Sequence, residues 1–184
     1  KRWIDRLIVD LPGTSVQEIA VKTAKGPAYL LRRPERGATD LVLTPVPKGR
    51  QPASAVSLGS QAEALGAFNF DDVRALPDPS PAFPDTATFR TFAGPVLQFR
   101  GRREGEKAFI TVSARRDPAA AAPVPSGTEA VTKNESPVAA ATADPPPSER
   151  AVERLGTRTR GVEYEIPVYK YEALFKPHDE LLEK

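Results

Sequence analysis

The feature that most constrains what this chain can fold into is a near-repeat: Gly26-Pro27 returns 68 positions later as Gly94-Pro95. At the same offset Arg32 meets Arg100, Gly37 meets Gly105, and Leu41-Val42-Leu43 falls on Phe109-Ile110-Thr111. In both copies a strand-like run enters the Gly-Pro turn and a second apolar run follows. A basic, glycine-containing turn and a third run complete the unit. A three-stranded meander used twice accounts for that order.

Local patterns fill in the rest. Val16 to Thr23 sets Ile19 and Val21 on one face against Glu18, Ala20 and Lys22 on the other, the period of a half-buried strand. Ala28–Arg32 and Asp40–Thr44 continue the first meander; Thr86–Phe92, Val96–Arg100 and Ala108–Ala114 make the second. Leu58, Ala62, Leu65 and Phe68 form a helical stripe over Ala55–Phe68, with Ser54 or Ser60 as candidate caps. Phe70–Leu76 reads as a short strand. Near the end, Val162, Tyr164 and Ile166 alternate with Glu163 and Glu165, the mark of another strand. Leu174, Phe175, His178, Leu181 and Leu182 share a stripe that Pro177 must break. The expected fold is α+β: two antiparallel β-meander plus helix units, each β-β-β-α-β, over 1–84 and 85–184.

Residues 117–147 interrupt the second unit. Nine of these 31 residues are alanine and seven are proline, with no aromatic among them. Such a composition buries too little apolar surface to offset its ordering entropy, so a flexible linker is expected there. A helix over Glu149–Leu155, capped by Ser148 and stopped by Gly156, then rejoins the domain.

Several chemistries are excluded by what the chain lacks. With no cysteine there is no disulfide, no thiolate metal site and no cysteine nucleophile. No apolar run reaches the ~18–20 residues of a membrane span. The opening at Lys1-Arg2-Trp3, without methionine, reads as a cut or processed piece whose leader or anchor would lie upstream. Trp3 is expected to be a packing anchor.

No catalytic constellation emerges. The lone histidine, His178, has Asp179 and Glu180 beside it, but neighbours on a helix point different ways and make no ligand set. Asp71 and Asp72 would face opposite sides of a strand. Ser57-Leu58-Gly59-Ser60 lacks the glycines of a nucleophile elbow, and no phosphate loop is present. No enzyme activity, catalytic residue, metal or cofactor is therefore expected.

The basic turns are the one electrostatic signal. Arg32, Arg33 and Arg36 cluster in the first meander and Arg100, Arg102 and Arg103 in the second. Thr86–Arg116 holds seven basic and two acidic residues, whereas Val162–Lys184 holds six acidic and three basic. That balance, with no aromatics interleaved among the arginines and a net charge of only +2, predicts no nucleic-acid site. The six arginines are the candidate partner-binding residues.

Trp3-Ile4-Asp5-Arg6-Leu7, Asp10-Leu11-Pro12, Val16–Val21 and Ala28–Pro34 resemble the C-terminal half of a bacterial family, domain of unknown function 4340. Phe70–Val73, Thr88–Phe92 and Glu163–Lys170 are similar as well. The resemblance spans most of the chain outside the Ala/Pro segment. It implies a periplasmic domain of an envelope protein, held to the membrane only through an upstream anchor and working beside gliding-motility-type ABC transporter subunits. It implies no catalytic residues. The expected function is a non-enzymatic accessory or interaction domain, its partner a transporter permease or auxiliary subunit. The alternative is a small-ligand- or glycan-binding or hydrolytic envelope domain.

Overall fold

A computed structural model of the chain describes residues 6–116 and 154–183. The expected linker at 117–147 and Trp3 lie outside the described residues. In chain order the strands and helices are β1 (Leu7–Val9), β2 (Val16–Lys22), β3 (Tyr29–Arg32), β4 (Val42–Thr44), α1 (Ala55–Ala62), β5 (Phe68–Asn69), β6 (Asp72–Ala75) and β7 (Asp85–Thr91). Then come β8 (Pro95–Glu104), β9 (Lys107–Arg116), α2 with described residues 154–158, β10 (Val162–Ile166) and α3 (Val168–Leu174). The fold is α+β, and every strand pairing is antiparallel.

One eight-stranded sheet runs in the order β4-β3-β2-β7-β8-β9-β10-β6, and β1 and β5 form a separate pair. Both expected meanders are present, side by side, joined through β2 and β7. The chain crosses position 84/85 between β6 and β7, and the sheet continues across it. Ile19 faces Leu31 in the first hairpin and Ala87 faces Phe99 in the second, the same register moved by 68 positions. The next hairpin departs by one residue: Leu31 faces Leu43, whereas Phe99 faces Val112. The trailing strands differ more. β10 adds to the edge of its own meander beside β9, but β6 leaves the first meander and pairs with β10 at the far edge.

The alternation of each strand decides the two faces. Ile19, Leu31, Leu43, Phe89, Leu97, Phe99, Ile110, Val112, Tyr164 and Ile166 stand opposite one another in register and are buried in a single core. Phe99 contacts Phe89 and Phe68 edge-on, with ring centroids 5.6 and 5.8 Å apart. Burying a side chain of this size stabilises the fold by about 1.5–3 kcal/mol. Helices cover this face. α1 places Leu58, Ala62 and its 3-10 continuation's Leu65 into the core, as their spacing predicts. Ser54 is its cap, accepting from the Ser57 N–H at 3.4 Å. The helical stripe stops short of Phe68: Ala67 turns left-handed at φ 45°, and Phe68 begins β5.

α3 starts after Pro167 and carries Tyr171 and Leu174 inward; Pro177 ends that run, and a 3-10 turn at His178–Leu181 buries His178 and Leu181. Gly101 on β8 makes this possible. A Cβ there would lie 2.6 Å from the Tyr171 ring and 2.7 Å from that of Phe175. α2 runs through Gly156 to 158, past the expected stop, with Leu155 buried.

Candidate functional site

The opposite face of the sheet carries the polar residues. Reading across the strands, Lys22 faces Thr86, Thr86 faces Arg100, and Arg100 faces Thr111. The next row, two residues along, is Ala20, Thr88, Gln98 and Ser113. Beyond it stand Arg32, Glu18, Arg90, Val96 and Arg115. The result is a platform of mostly hydroxyl- or amide-bearing side chains with cations on two sides and a buried Val96 in its last row.

The six arginines expected to form partner-binding turns are dispersed by this geometry. Arg32 and Arg100 are exposed on the platform face. Counting strand spacings and residue rises puts them about 20 Å apart, too far for one compact anion. Arg33 turns inward and is only 4% exposed. Its Nε donates to the Val16 carbonyl and Nη2 to the Gly13 carbonyl, both at 3.1 Å, and Nη1 donates to the Ala38 carbonyl. Those bonds fasten the 33–40 loop to the start of β2, so Arg33 serves the fold. Arg36 is exposed in that loop, 5.8 Å from the Phe92 ring.

In the second turn, Arg102 lies against Glu163, with Nη2 3.2 and 3.3 Å from its carboxylate oxygens, and Nη1 reaches Glu104 at 3.0 Å. Its guanidinium stacks 4.8 Å from the Phe109 ring, and that of Arg74 lies over the same ring at 3.9 Å. Arg74 also bonds Glu163, whose side chain is fully buried. Arg103 points to the helix side and pairs with Glu172 at 3.5 Å.

Ion pairing sorts the platform's charges. Arg90 is paired with Glu18 at 3.8 Å, and Lys107 with Glu165 at 3.0 Å. Lys22, Arg32, Arg100 and Arg115 are exposed, and among the described residues none of them has an ion-pair partner. Sequence reasoning named Arg32 and Arg100. It missed Lys22 and Arg115, which alternation along β2 and β9 already placed on the same face.

The groups weighed for chemistry sit elsewhere. His178 is 2% exposed, its Nε2 donating to the Pro45 carbonyl at 2.8 Å and its ring 5.8 Å from Tyr29. Ser57 is occupied with the α1 cap. Asp72 bonds the Val73 N–H at 2.8 Å. Among the described residues no group of three His, Asp or Glu side chains is placed to hold a metal, and no helix is long and apolar enough to cross a membrane.

A second constellation lies where the strands end against α3. Asp85, at the start of β7, accepts from the Ala24 N–H at 2.8 Å and from the Tyr171 hydroxyl. Burial first, then the bond to Asp85 and its negative charge, raise the Tyr171 phenol well above its ordinary range. Nearby, Tyr29 donates to the Lys176 carbonyl at 2.7 Å and accepts from Gln61 Nε2 at 2.8 Å. Burial likewise pushes its phenol up, with a smaller contribution from the Glu180 charge.

No protein-family model, curated protein or solved structure matches the chain.

Proposed function

We propose that this chain is a non-enzymatic interaction domain that docks an acidic protein surface onto the open face of its sheet. The observation that carries the reading is the set of exposed cations Lys22, Arg32, Arg100 and Arg115, without ion-pair partners among the described residues, around a polar platform. Unpaired charges on one face steer and orient a complementary partner more than they add raw affinity. Spacing of about 20 Å between Arg32 and Arg100 suits an extended protein surface rather than a small anion.

The family resemblance gives the context: a periplasmic domain of an anchored envelope protein beside ABC-type transporter subunits, with a permease or auxiliary subunit as the partner. We further propose that the two meanders derive from one duplicated unit. The shared register of their first hairpins supports this, and the one-residue offset and the displaced β6 are later divergence.

The test is purification of the tagged full-length protein from native membranes in mild detergent, with mass-spectrometric identification of what accompanies it. Permease or ATPase subunits are expected in fixed ratio, and their recovery is expected to fall with Arg32→Glu/Arg100→Glu. Recovery of the protein alone would remove the stable complex. Unchanged recovery with the double variant would remove the platform as the contact.

A further inference from the structure

The cavity at the end of the sheet is independent of the platform, which is on the other face. It is lined by Thr23 and Lys25 after β2, Asp85 on β7, Arg103 on β8, Tyr171, Glu172 and Phe175 on or just after α3, and Pro177 and Glu180 beyond it, and encloses about 190 Å³. Volume limits what can enter. At ~30 Å³ per water it equals about six waters, below the ~300 Å³ at which drug-sized pockets begin. A small metabolite fills it.

Thr23 lines the cavity at the end of β2. The rest of the lining is charged in both signs. Arg103 and Glu172 neutralise each other at 3.5 Å. Lys25 and Glu180 are exposed and have no ion-pair partner among the described residues. Asp85 keeps the outer lone pairs of both carboxylate oxygens, since each accepts one bond from the protein. Aromatic edges from Tyr171 and Phe175, whose centroids are 4.6 Å apart, form the apolar wall.

A lone anion would meet Asp85 and Glu180; a lone cation would meet Lys25. One ligand class satisfies both signs and the small volume. We propose that this cavity binds a small zwitterion of the α-amino-acid class. Its carboxylate takes the Lys25 ammonium. Its ammonium donates to Asp85 and Glu180, and its side chain lies against Phe175.

The experiment is a titration of the isotope-labelled full chain with glycine, L-alanine and L-serine, read from backbone amide shifts in NMR spectra. Acetate and methylammonium serve as half-ligands. Saturable shifts at Thr23, Lys25 and Asp85, with a dissociation constant of about 1 mM or tighter, are expected for at least one zwitterion. Lys25→Ala and Glu180→Gln are each expected to weaken it about tenfold or more. Lys25 and Glu180 are exposed, so those variants should keep the wild-type spectrum elsewhere, which the same data check. The absence of saturable shifts with all three amino acids would overturn the proposal. So would a half-ligand binding as tightly as the zwitterion, or affinity unchanged in both variants.

Discussion

Tyr171 shows how one residue ties helix to sheet. Gly101 on β8 leaves room for its ring, and its hydroxyl donates to Asp85 on the neighbouring strand. Burial, and then the Asp85 contact, favour the neutral phenol, and burial does the same for Tyr29. The sign of the pH dependence follows. A folded-state value raised above the unfolded one, near 10, contributes stability that is complete below about pH 10 and is lost as pH rises beyond it. Urea midpoints measured from about pH 8 to 11 should therefore fall on the alkaline side. In Tyr171→Phe the fall should be shallower than in the wild type, because one of the two strongly shifted phenols is gone. An equal slope in both proteins would show that Tyr171 titrates in the fold as it does unfolded.

At the scale of elements, the informative pair is β10 with β6. Glu163 is buried outright, yet its charge is met by Arg102 from β8 and Arg74 from β6, with both guanidinium groups on the Phe109 ring. Beside its backbone ladder to β10, the far edge strand is thus tied to β8 through this carboxylate. Breaking a buried pair costs up to ~3–5 kcal/mol, but Arg74 is half-exposed and water screens part of the loss. Glu163→Gln is expected to destabilise the protein by about 2 kcal/mol, as read from chemical denaturation, and to speed hydrogen exchange in β6 first. A loss under about 0.5 kcal/mol, the usual range for a surface substitution, would mean that the cluster is ornamental.

The same residue marks what the sequence could and could not say. Alternation in Val162–Ile166 identified the strand and the inward Tyr164 and Ile166, but it assigned Glu163 to solvent. Its burial depends on β6 arriving from 89 residues earlier, a pairing no local period encodes. Arg33 is the parallel case among the site candidates: a cation in a turn by sequence, an internal fastener once the loop folds back over β2. Arg32 and Arg100 were named as members of basic turns, whereas strand pairing sets both on the polar face. The lining of the cavity was not legible, since it joins residues from Thr23 to Glu180.

For the whole molecule, the question is whether residues 1–84 and 85–184 behave as two bodies or one. The two meanders meet along six registered pairs of β2 and β7, from Val16 with Thr91 to Lys22 with Thr86. Their buried side chains belong to one cluster, in which Phe68 of the first unit packs on Phe99 of the second. β6 reinforces the coupling, because the first unit's last strand pairs with the second unit's β10. Neither unit can lose its structure without stripping the other of an edge and a core wall. Cooperative two-state unfolding is the consequence when such contacts join all parts. Calorimetry is expected to show a single transition, with tyrosine fluorescence and far-ultraviolet circular dichroism tracing the same curve. Thr88→Pro, in the middle of β7, removes a strand N–H and should cost about 3 kcal/mol or more. Because β7 is shared, it should move that one transition as a whole. Two resolved transitions would instead show that the two meanders unfold as separate bodies.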